Sequence, residues 1–205
     1  MDTFWLAFSV LLWGFLHSLL ASRGAKALAS RLFGSLADHF YRLIYNAFAL
    51  VSFVPVLVVA VRADHRVLYA VPWPWSGLMV LGMLLAAIAL VVGFRPNDLW
   101  EFLGLRQLGT PEQEQPARLF TGGLYRYVRH PLYTAGLAFI WLMPLMTVSV
   151  LVINVALTAY VVVGAYFEER KLRLQFGQAY ADYAAVTPML VPFTRWNKAP
   201  RKASR

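Results

Sequence analysis

Long apolar stretches separated by shorter polar segments dominate this chain. Four of them contain no charged residue, at positions 4–21, 43–61, 76–94 and 132–167. The first three contain 18, 19 and 19 residues, close to the roughly 20 that an α-helix needs to cross the hydrocarbon core of a bilayer. The fourth contains 36 residues, which is enough for two helices. The pattern therefore predicts an all-α integral membrane protein with about five transmembrane helices.

The composition agrees with this prediction. Of the 205 residues, 60% are hydrophobic and 14% are charged, whereas about 25% are charged in an ordinary soluble domain. This excludes a disordered chain and argues against a water-soluble one. The chain has no cysteine, so we expect no disulfide framework and no cysteine nucleophile. The sequence also shows no clear cluster of metal ligands, and we expect no metal site.

The positive charge is concentrated in three segments. Of the 19 Lys and Arg residues, 17 lie in segments 22–42, 95–131 and 168–205, which five crossings would place on one side of the membrane. The positive-inside rule then predicts an outer N-terminus and a cytoplasmic C-terminus, and we expect a bacterial inner membrane. We interpret the net charge of +9 as a consequence of the membrane topology and as a source of attraction to lipid headgroups. The expected partner is therefore the lipid bilayer, and a nucleic acid is not expected.

The last apolar run, 132–167, predicts a helical hairpin followed by a cytoplasmic C-terminal tail helix. Pro144 lies near its middle and favours a turn there. The arm before the turn has only about 12 residues, or roughly 18 Å of helix, and a bilayer core is about 30 Å thick. Either the turn stops short of the outer face, or the arm begins below the cytoplasmic surface. The second alternative would place Arg126, Arg129 and His130 in a polar recess; a re-entrant packing element is the other interpretation.

Polar residues form a stripe along the second arm of this hairpin. With about 100° per residue, Asn154, Thr158 and Glu168 lie on one side of the helix. For Asn154 and Thr158 we favour hydrogen bonds between helices. Glu168 lies at the negative end of its helix, so it requires a cationic or hydrogen-bond-donating partner. Arg170 and Lys171 are the nearest candidates in sequence.

The segment 122–133 combines features of a binding site. Pro131 suits the first turn of a helix, which places His130 at the cap, beside backbone N–H groups that favour an anionic ligand. Arg126 and Arg129 add positive charge, and tyrosines add aromatic faces. These residues would suit a zwitterion that carries a carboxylate and a cationic centre. The alternative is an ordinary interfacial belt of Tyr and Arg, and composition alone does not separate the two.

The same segment resembles the signature of the isoprenylcysteine carboxyl methyltransferase family. The run Gly-Leu-Tyr-Arg-Tyr-Val-Arg-His-Pro-Leu-Tyr at 123–133 is followed by Glu168-Glu169 and then by Phe-Gly-x-x-Tyr-x-x-Tyr at 176–183. The resemblance covers residues 104–193. The N-terminal half is more similar to the methanethiol S-methyltransferase and NnrU-type members. That similarity rests on the pairs His17-Ser18, Ala21-Ser22, Tyr41-Arg42 and Tyr45-Asn46 and on the run at 102–107.

The resemblance implies a membrane-embedded enzyme that uses S-adenosylmethionine. It divides the chain into three N-terminal transmembrane helices (1–94) and a cofactor-binding methyltransferase region (95–205). The positive charge of the site makes Arg129 and Arg126 the candidate catalytic residues, because the pKa of a thiol acceptor would fall beside them. The matched cofactor-binding positions are Gln107, Leu119, Phe120, Tyr125, His130, Pro131, Leu132, Tyr133 and Glu168. The candidate substrate residues are His17, Arg42, Asn46 and Asn154.

The function expected from the sequence is methyl transfer to a thiol or a carboxylate of a small or lipophilic acceptor. Gly164 stands where eukaryotic members of the family place an arginine for prenylcysteine, which argues against that substrate. One alternative is an NnrU-type non-enzymatic membrane protein of nitrogen-oxide metabolism. Another is a steroid-reductase-like NADPH enzyme. The second is disfavoured because Tyr133 is followed by Thr-Ala-Gly-Leu, without the acidic residue such enzymes place there.

Overall fold

A computed structural model describes residues 2–94 and 118–194, without the side chain of Asp38. The described elements, in chain order, are α1 (Asp2–Ala21), α2 (Arg23–Phe33), α3 (Ser35–Arg62), β1 (Val67–Ala70), α4 (Trp75–Phe94), a 3₁₀ turn (Gly123–Arg126), α5 (Pro131–Trp141), β2 (Leu145–Thr147) and α6 (Val148–Val186).

Within these residues, four helices are long and apolar enough to cross a membrane: α1, α3, α4 and α6. The prediction of an all-α membrane protein is therefore confirmed. The expected fifth helix is α5, which is apolar but has only 11 residues. It is too short to cross a bilayer unaided, so the described part of the chain holds four candidate spans and one short apolar helix.

The turn between α5 and α6 contains a structure that the apolar pattern did not predict. Strand β2 pairs antiparallel with β1, so that Val67 lies opposite Thr147 and Ala70 lies opposite Leu145. The Ser149 hydroxyl also donates a hydrogen bond to the Asp64 carbonyl, just before β1. The predicted turn is thus tied to the loop after α3 by pairing between residues distant in sequence.

The described chain divides into two compact units, each built from separate stretches. The first contains residues 2–70 and 145–160, and the second contains 71–94, 118–144 and 161–194. In the first unit, α1 packs on α3 around a core that includes Leu6 and Val56. In the second, α4 packs along α5.

Helix α6 changes direction at Gly177, within the second unit. The backbone there has φ 53° and ψ −127°, a region essentially reserved for glycine. Tyr180 lies eleven positions after Glu169, and a straight helix would set them about 16 Å apart along its axis. The Tyr180 hydroxyl nevertheless donates to Glu169 Oε1 at 2.7 Å. The bend therefore returns the C-terminal part of α6 towards the end of the apolar run.

Candidate functional site

A buried carboxylate, Glu169, is the centre of the polar cluster in the second unit. The Arg129 guanidinium donates to both of its oxygens, from Nε to Oε1 at 2.7 Å and from Nη2 to Oε2 at 2.9 Å. Both side chains are less than a tenth exposed. Two parallel hydrogen bonds between ionised groups are among the strongest side-chain interactions in proteins. Tyr180 adds a third donor to the same carboxylate.

Arg129 also ties this centre to the C-terminal segment. Its Nη1 donates to the carbonyls of Ala184 and Thr187, and its backbone N–H donates to the Pro188 carbonyl at 2.9 Å. The guanidinium nitrogens Nε, Nη1 and Nη2 thus all donate to protein acceptors. In this geometry Arg129 holds the site together, and its catalytic role stays a prediction.

His130 lies between two carboxylates. Its Nε2 is 3.0 Å from Glu169 Oε1, and its Nδ1 is 3.5 Å from Glu168 Oε2. The residue is the N-cap of α5, and Pro131 occupies the first helical turn, as the proline predicted. Because Glu169 is itself held by Arg129 and Tyr180, the imidazole has a fixed orientation that directs one nitrogen towards Glu168.

Glu168 differs from Glu169 in its exposure. Its side chain is 43% exposed, and its Oε2 accepts a hydrogen bond from the Tyr133 hydroxyl at 2.9 Å. The Tyr133 ring stacks on His130 with centroids 5.4 Å apart and an interplanar angle of 8°. Among the described residues, Glu168 Oε1 makes no hydrogen bond. Within the described part of the chain, the required partners of this helix-end carboxylate are therefore His130 and Tyr133.

Aromatic side chains lie in the segment before this cluster. The rings of Phe120 and Tyr125 meet edge to face, with centroids 5.6 Å apart. The Tyr125 carbonyl accepts a hydrogen bond from the Tyr183 hydroxyl at 2.6 Å, which links the segment to the end of α6. Leu119 is half-buried, and Arg126 is exposed.

The structure brings together several residues that the sequence singled out. His130, Tyr133 and Glu168 are in mutual contact, whereas Gln107 lies outside the described residues. The remaining two cofactor-binding positions are in the first turn of α5, where Pro131 is buried and Leu132 packs beside Gly93. A Cβ at Gly93 would lie 3.2 Å from Leu132 Cδ2, so glycine allows the close approach of α4 and α5.

The candidate substrate residues lie in the first unit. The Tyr45 hydroxyl is 2.7 Å from His17 Nε2, and the His17 ring stacks on Trp13. Arg42 and Asn46 are half-buried on α3, close in sequence to Tyr45. The Asn154 side chain is 2% exposed. A role for these four residues in substrate binding stays a prediction.

Sequence reasoning missed the importance of Glu169 and Tyr180. Both were part of the quoted motif, but only Glu168 was given a role. The side chains of consecutive helical residues point about 100° apart, so Glu168 and Glu169 face different surroundings and differ in burial. The sequence signal was the arginine of the first half of the motif, Arg129, which indicates that one of the two acids is its partner but does not say which.

Comparison with known proteins identifies the family. The model of the family described as NnrU protein matches residues 5–198, which is nearly the whole chain. The chain belongs to the NnrU family. This NnrU-family protein is 30% identical over 184 residues to the methanethiol S-methyltransferase of Crocosphaera subtropica, covering 86% of this chain and 69% of that protein. The family prediction made from the sequence is confirmed.

Further relatives carry the same name. Methanethiol S-methyltransferase 2 of Bradyrhizobium diazoefficiens is 39% identical over 140 residues, which are 65% of this chain and 52% of that protein. The methanethiol S-methyltransferase of Mycobacterium tuberculosis is 35% identical over 99 residues, 46% of this chain and 40% of that protein. The chain thus spans about half or less of these two relatives. No solved structure matches the chain.

The NnrU-family chain shows no grouping of metal ligands in its described part. In residues 2–94 and 118–194, no three His, Asp or Glu side chains come together in a way that would hold a metal ion.

Proposed function

We propose that this protein is a membrane methyltransferase that uses S-adenosylmethionine and methylates the thiol of a small acceptor. The observation that carries the proposal is the cluster of His130, Tyr133 and Glu168 at the start of α5, in which Glu168 Oε1 accepts no hydrogen bond from residues 2–94 and 118–194. The named relatives support the methyltransferase class. We also propose a bacterial inner-membrane location with the C-terminus in the cytoplasm, on the charge distribution given above.

The chemistry of this cluster fits the proposed methyl donor. S-adenosylmethionine carries an ammonium and ribose hydroxyls, and the Glu168 carboxylate would accept hydrogen bonds from these groups. The carboxylate of S-adenosylmethionine would suit the positive N-terminal end of α5. Phe120 and Tyr125 would offer aromatic faces to the adenine. Bound there, it supplies an electrophilic methyl group on a sulfonium.

The remaining work of the protein is alignment and exclusion of water. Methyl transfer is a displacement between two aligned groups, so positioning contributes a large part of the rate. The buried pair of Arg129 and Glu169 fixes His130, and His130 with Tyr133 fixes Glu168. Arg126 is exposed in the same segment, and its charge would favour the ionised form of a nearby thiol.

A feature of α6 supports a thiol over a prenylcysteine carboxylate. Gly164 takes the position at which the isoprenylcysteine enzymes are expected to carry an arginine. Apart from its chain neighbours and its own helix backbone, no atom of the described residues lies within 4 Å of the place where its Cβ would be. The position thus has room for a side chain but supplies no cation. A prenylcysteine carboxylate would therefore lack at this position the counter-charge that the resemblance leads us to expect for that substrate.

The test is methyl transfer from S-adenosylmethionine labelled on the methyl group. The protein, reconstituted in vesicles, is given methanethiol, a prenylcysteine or no acceptor, and the labelled product is counted. We expect product with the thiol only, and little product from the Glu168→Gln variant with the same acceptor. Methylation of prenylcysteine alone would contradict the proposed acceptor. No transfer to either compound, together with no affinity for S-adenosylhomocysteine, would favour the non-enzymatic NnrU-type alternative.

A further inference from the structure

Helix α2 does not fit the description of a loop between two spans. Its 11 residues form a capped helix: the Ser22 hydroxyl accepts a hydrogen bond from the Ala25 N–H, and the Gly34 N–H donates to the Ser30 carbonyl at 2.8 Å. Gly34 has φ 57°, a conformation that favours glycine and lets the chain turn sharply into α3. The helix therefore has defined ends.

The two sides of α2 differ in character. With about 100° per residue, Leu28 and Leu32 lie within about 40° of each other, and Arg23 and Lys26 lie on the opposite side. Arg31 lies at the boundary between the two sides, about 60° from Leu28. The exposed fractions of Leu28 and Leu32 are 57% and 66%. A helix with one apolar and one basic side is typical of segments that lie in the plane of a membrane surface.

The neighbouring elements place α2 at such a surface. It is separated by one residue from the end of α1 and by one residue from the start of α3, and both of those helices are candidate spans. At about 16 Å in length it cannot cross a bilayer itself. A bilayer crossed by α1 and α3 therefore ends close to both ends of α2.

The charge on the polar side selects the lipid. Segment 22–36 contains Arg23, Lys26 and Arg31 and no acidic residue. Phosphate-bearing anionic headgroups attract such basic segments by about 1 kcal/mol per residue. We propose that α2 is a surface helix whose leucines insert at the headgroup–acyl boundary and whose basic side binds anionic phospholipid. This inference is independent of the proposed enzymatic function.

The absence of cysteine from the chain makes a direct test possible. A fluorophore is attached to the single cysteine of each variant. In Leu28→Cys and Leu32→Cys it lies on the apolar side of α2, and in Ala27→Cys it lies on the exposed polar side. The full-length proteins are reconstituted in vesicles of phosphatidylcholine and phosphatidylglycerol. Quenching by nitroxide on lipid acyl chains and by aqueous iodide is then measured.

We expect at least threefold stronger quenching by the lipid nitroxide at positions 28 and 32 than at 27, with the opposite order for iodide. Equal access of iodide to all three positions would overturn the proposal, because α2 would then lie off the membrane. Protection of positions 28 and 32 from both quenchers would also overturn it, in favour of a second copy of the chain covering the leucines.

A second arm tests the headgroup. In the Leu28→Cys protein, nitroxide-bearing phosphatidylglycerol should quench more than nitroxide-bearing phosphatidylcholine at the same mole fraction. Arg23→Gln and Arg31→Gln should each reduce that preference by roughly fivefold. Leu81→Cys, exposed in the middle of α4, is the control position and should show no preference. Equal quenching by both lipids at position 28 would refute the anionic-lipid part of the proposal.

Discussion

The buried Glu169 carboxylate provides the strongest test of how the site is held together. In the Glu169→Gln variant the side chain keeps nearly the same shape but loses its charge. Arg129, which is 8% exposed, would then be a buried cation facing an amide. His130 and Tyr180 would lose the ionised acceptor at 3.0 and 2.7 Å.

The magnitude follows from the burial of the pair. Removing one partner of a buried ion pair costs about 3–5 kcal/mol, because the other charge is left uncompensated. Glu168→Gln is the matched control, with the same chemical change one residue earlier on a side chain that is 43% exposed. For an exposed charge we expect less than about 1 kcal/mol. The two adjacent variants should therefore differ by at least 2 kcal/mol in free energy of unfolding.

The assay is reversible unfolding in mixed detergent micelles, followed by circular dichroism, with binding of S-adenosylhomocysteine measured on the same samples. We expect Glu169→Gln to lose stability, and Glu168→Gln to lose affinity while its stability stays near that of the unmodified protein. If Glu169→Gln were no less stable than Glu168→Gln, the buried pair would not be the centre of the site and this reasoning would be refuted.

Three further substitutions test single contacts around the same centre. Tyr133→Phe removes the hydroxyl that donates to Glu168 and should weaken S-adenosylhomocysteine binding about three- to tenfold, as measured by calorimetry; an unchanged Kd would contradict a cofactor role for Glu168 in this geometry. Tyr180→Phe removes one of the buried donors to Glu169 and should cost about 1–3 kcal/mol in detergent unfolding, whereas a neutral result would place the hydroxyl outside the cluster. Gly177→Ala forces a side chain into a φ of 53° and should cost about 1–3 kcal/mol, and an equally stable variant would mean that the bend is not required.

The helices were predictable to different degrees for a physical reason. Apolar runs mark the part of a helix that must avoid water, so 4–21 and 76–94 predicted α1 and α4 to within two residues. The run 43–61 missed the first eight residues of α3, because a helix can continue into water with polar side chains. Helix α2 was missed for the same reason, since its charges concealed a two-sided pattern.

The pairing of β1 with β2 and the bend at Gly177 depend on tertiary contacts. A short strand of three or four residues has no pattern of its own, and its partner here lies about 75 positions away. The glycine of the Phe-Gly-x-x-Tyr-x-x-Tyr motif was visible in the sequence. Its consequence, the return of Tyr180 to Glu169, could not be read from spacing in a helix assumed to be straight.

The candidate site was predictable in outline. The expectation that His130 and Glu168 approach each other came from the family resemblance, and the structure places their side chains 3.5 Å apart. The rotation of α6 decides which of the two adjacent acids is buried, and the sequence does not specify that rotation. Arg129 binds one of these acids and two backbone carbonyls, contacts that the sequence motif does not reveal.

The most direct test of the central claim is calorimetric titration of the purified protein with S-adenosylhomocysteine. We predict saturable binding, a loss of affinity of about 10- to 100-fold in Glu168→Ala, and unchanged affinity in Arg170→Ala, a substitution of the exposed neighbour. Equal affinities in the unmodified protein and Glu168→Ala would contradict the claim that this carboxylate binds the methyl donor.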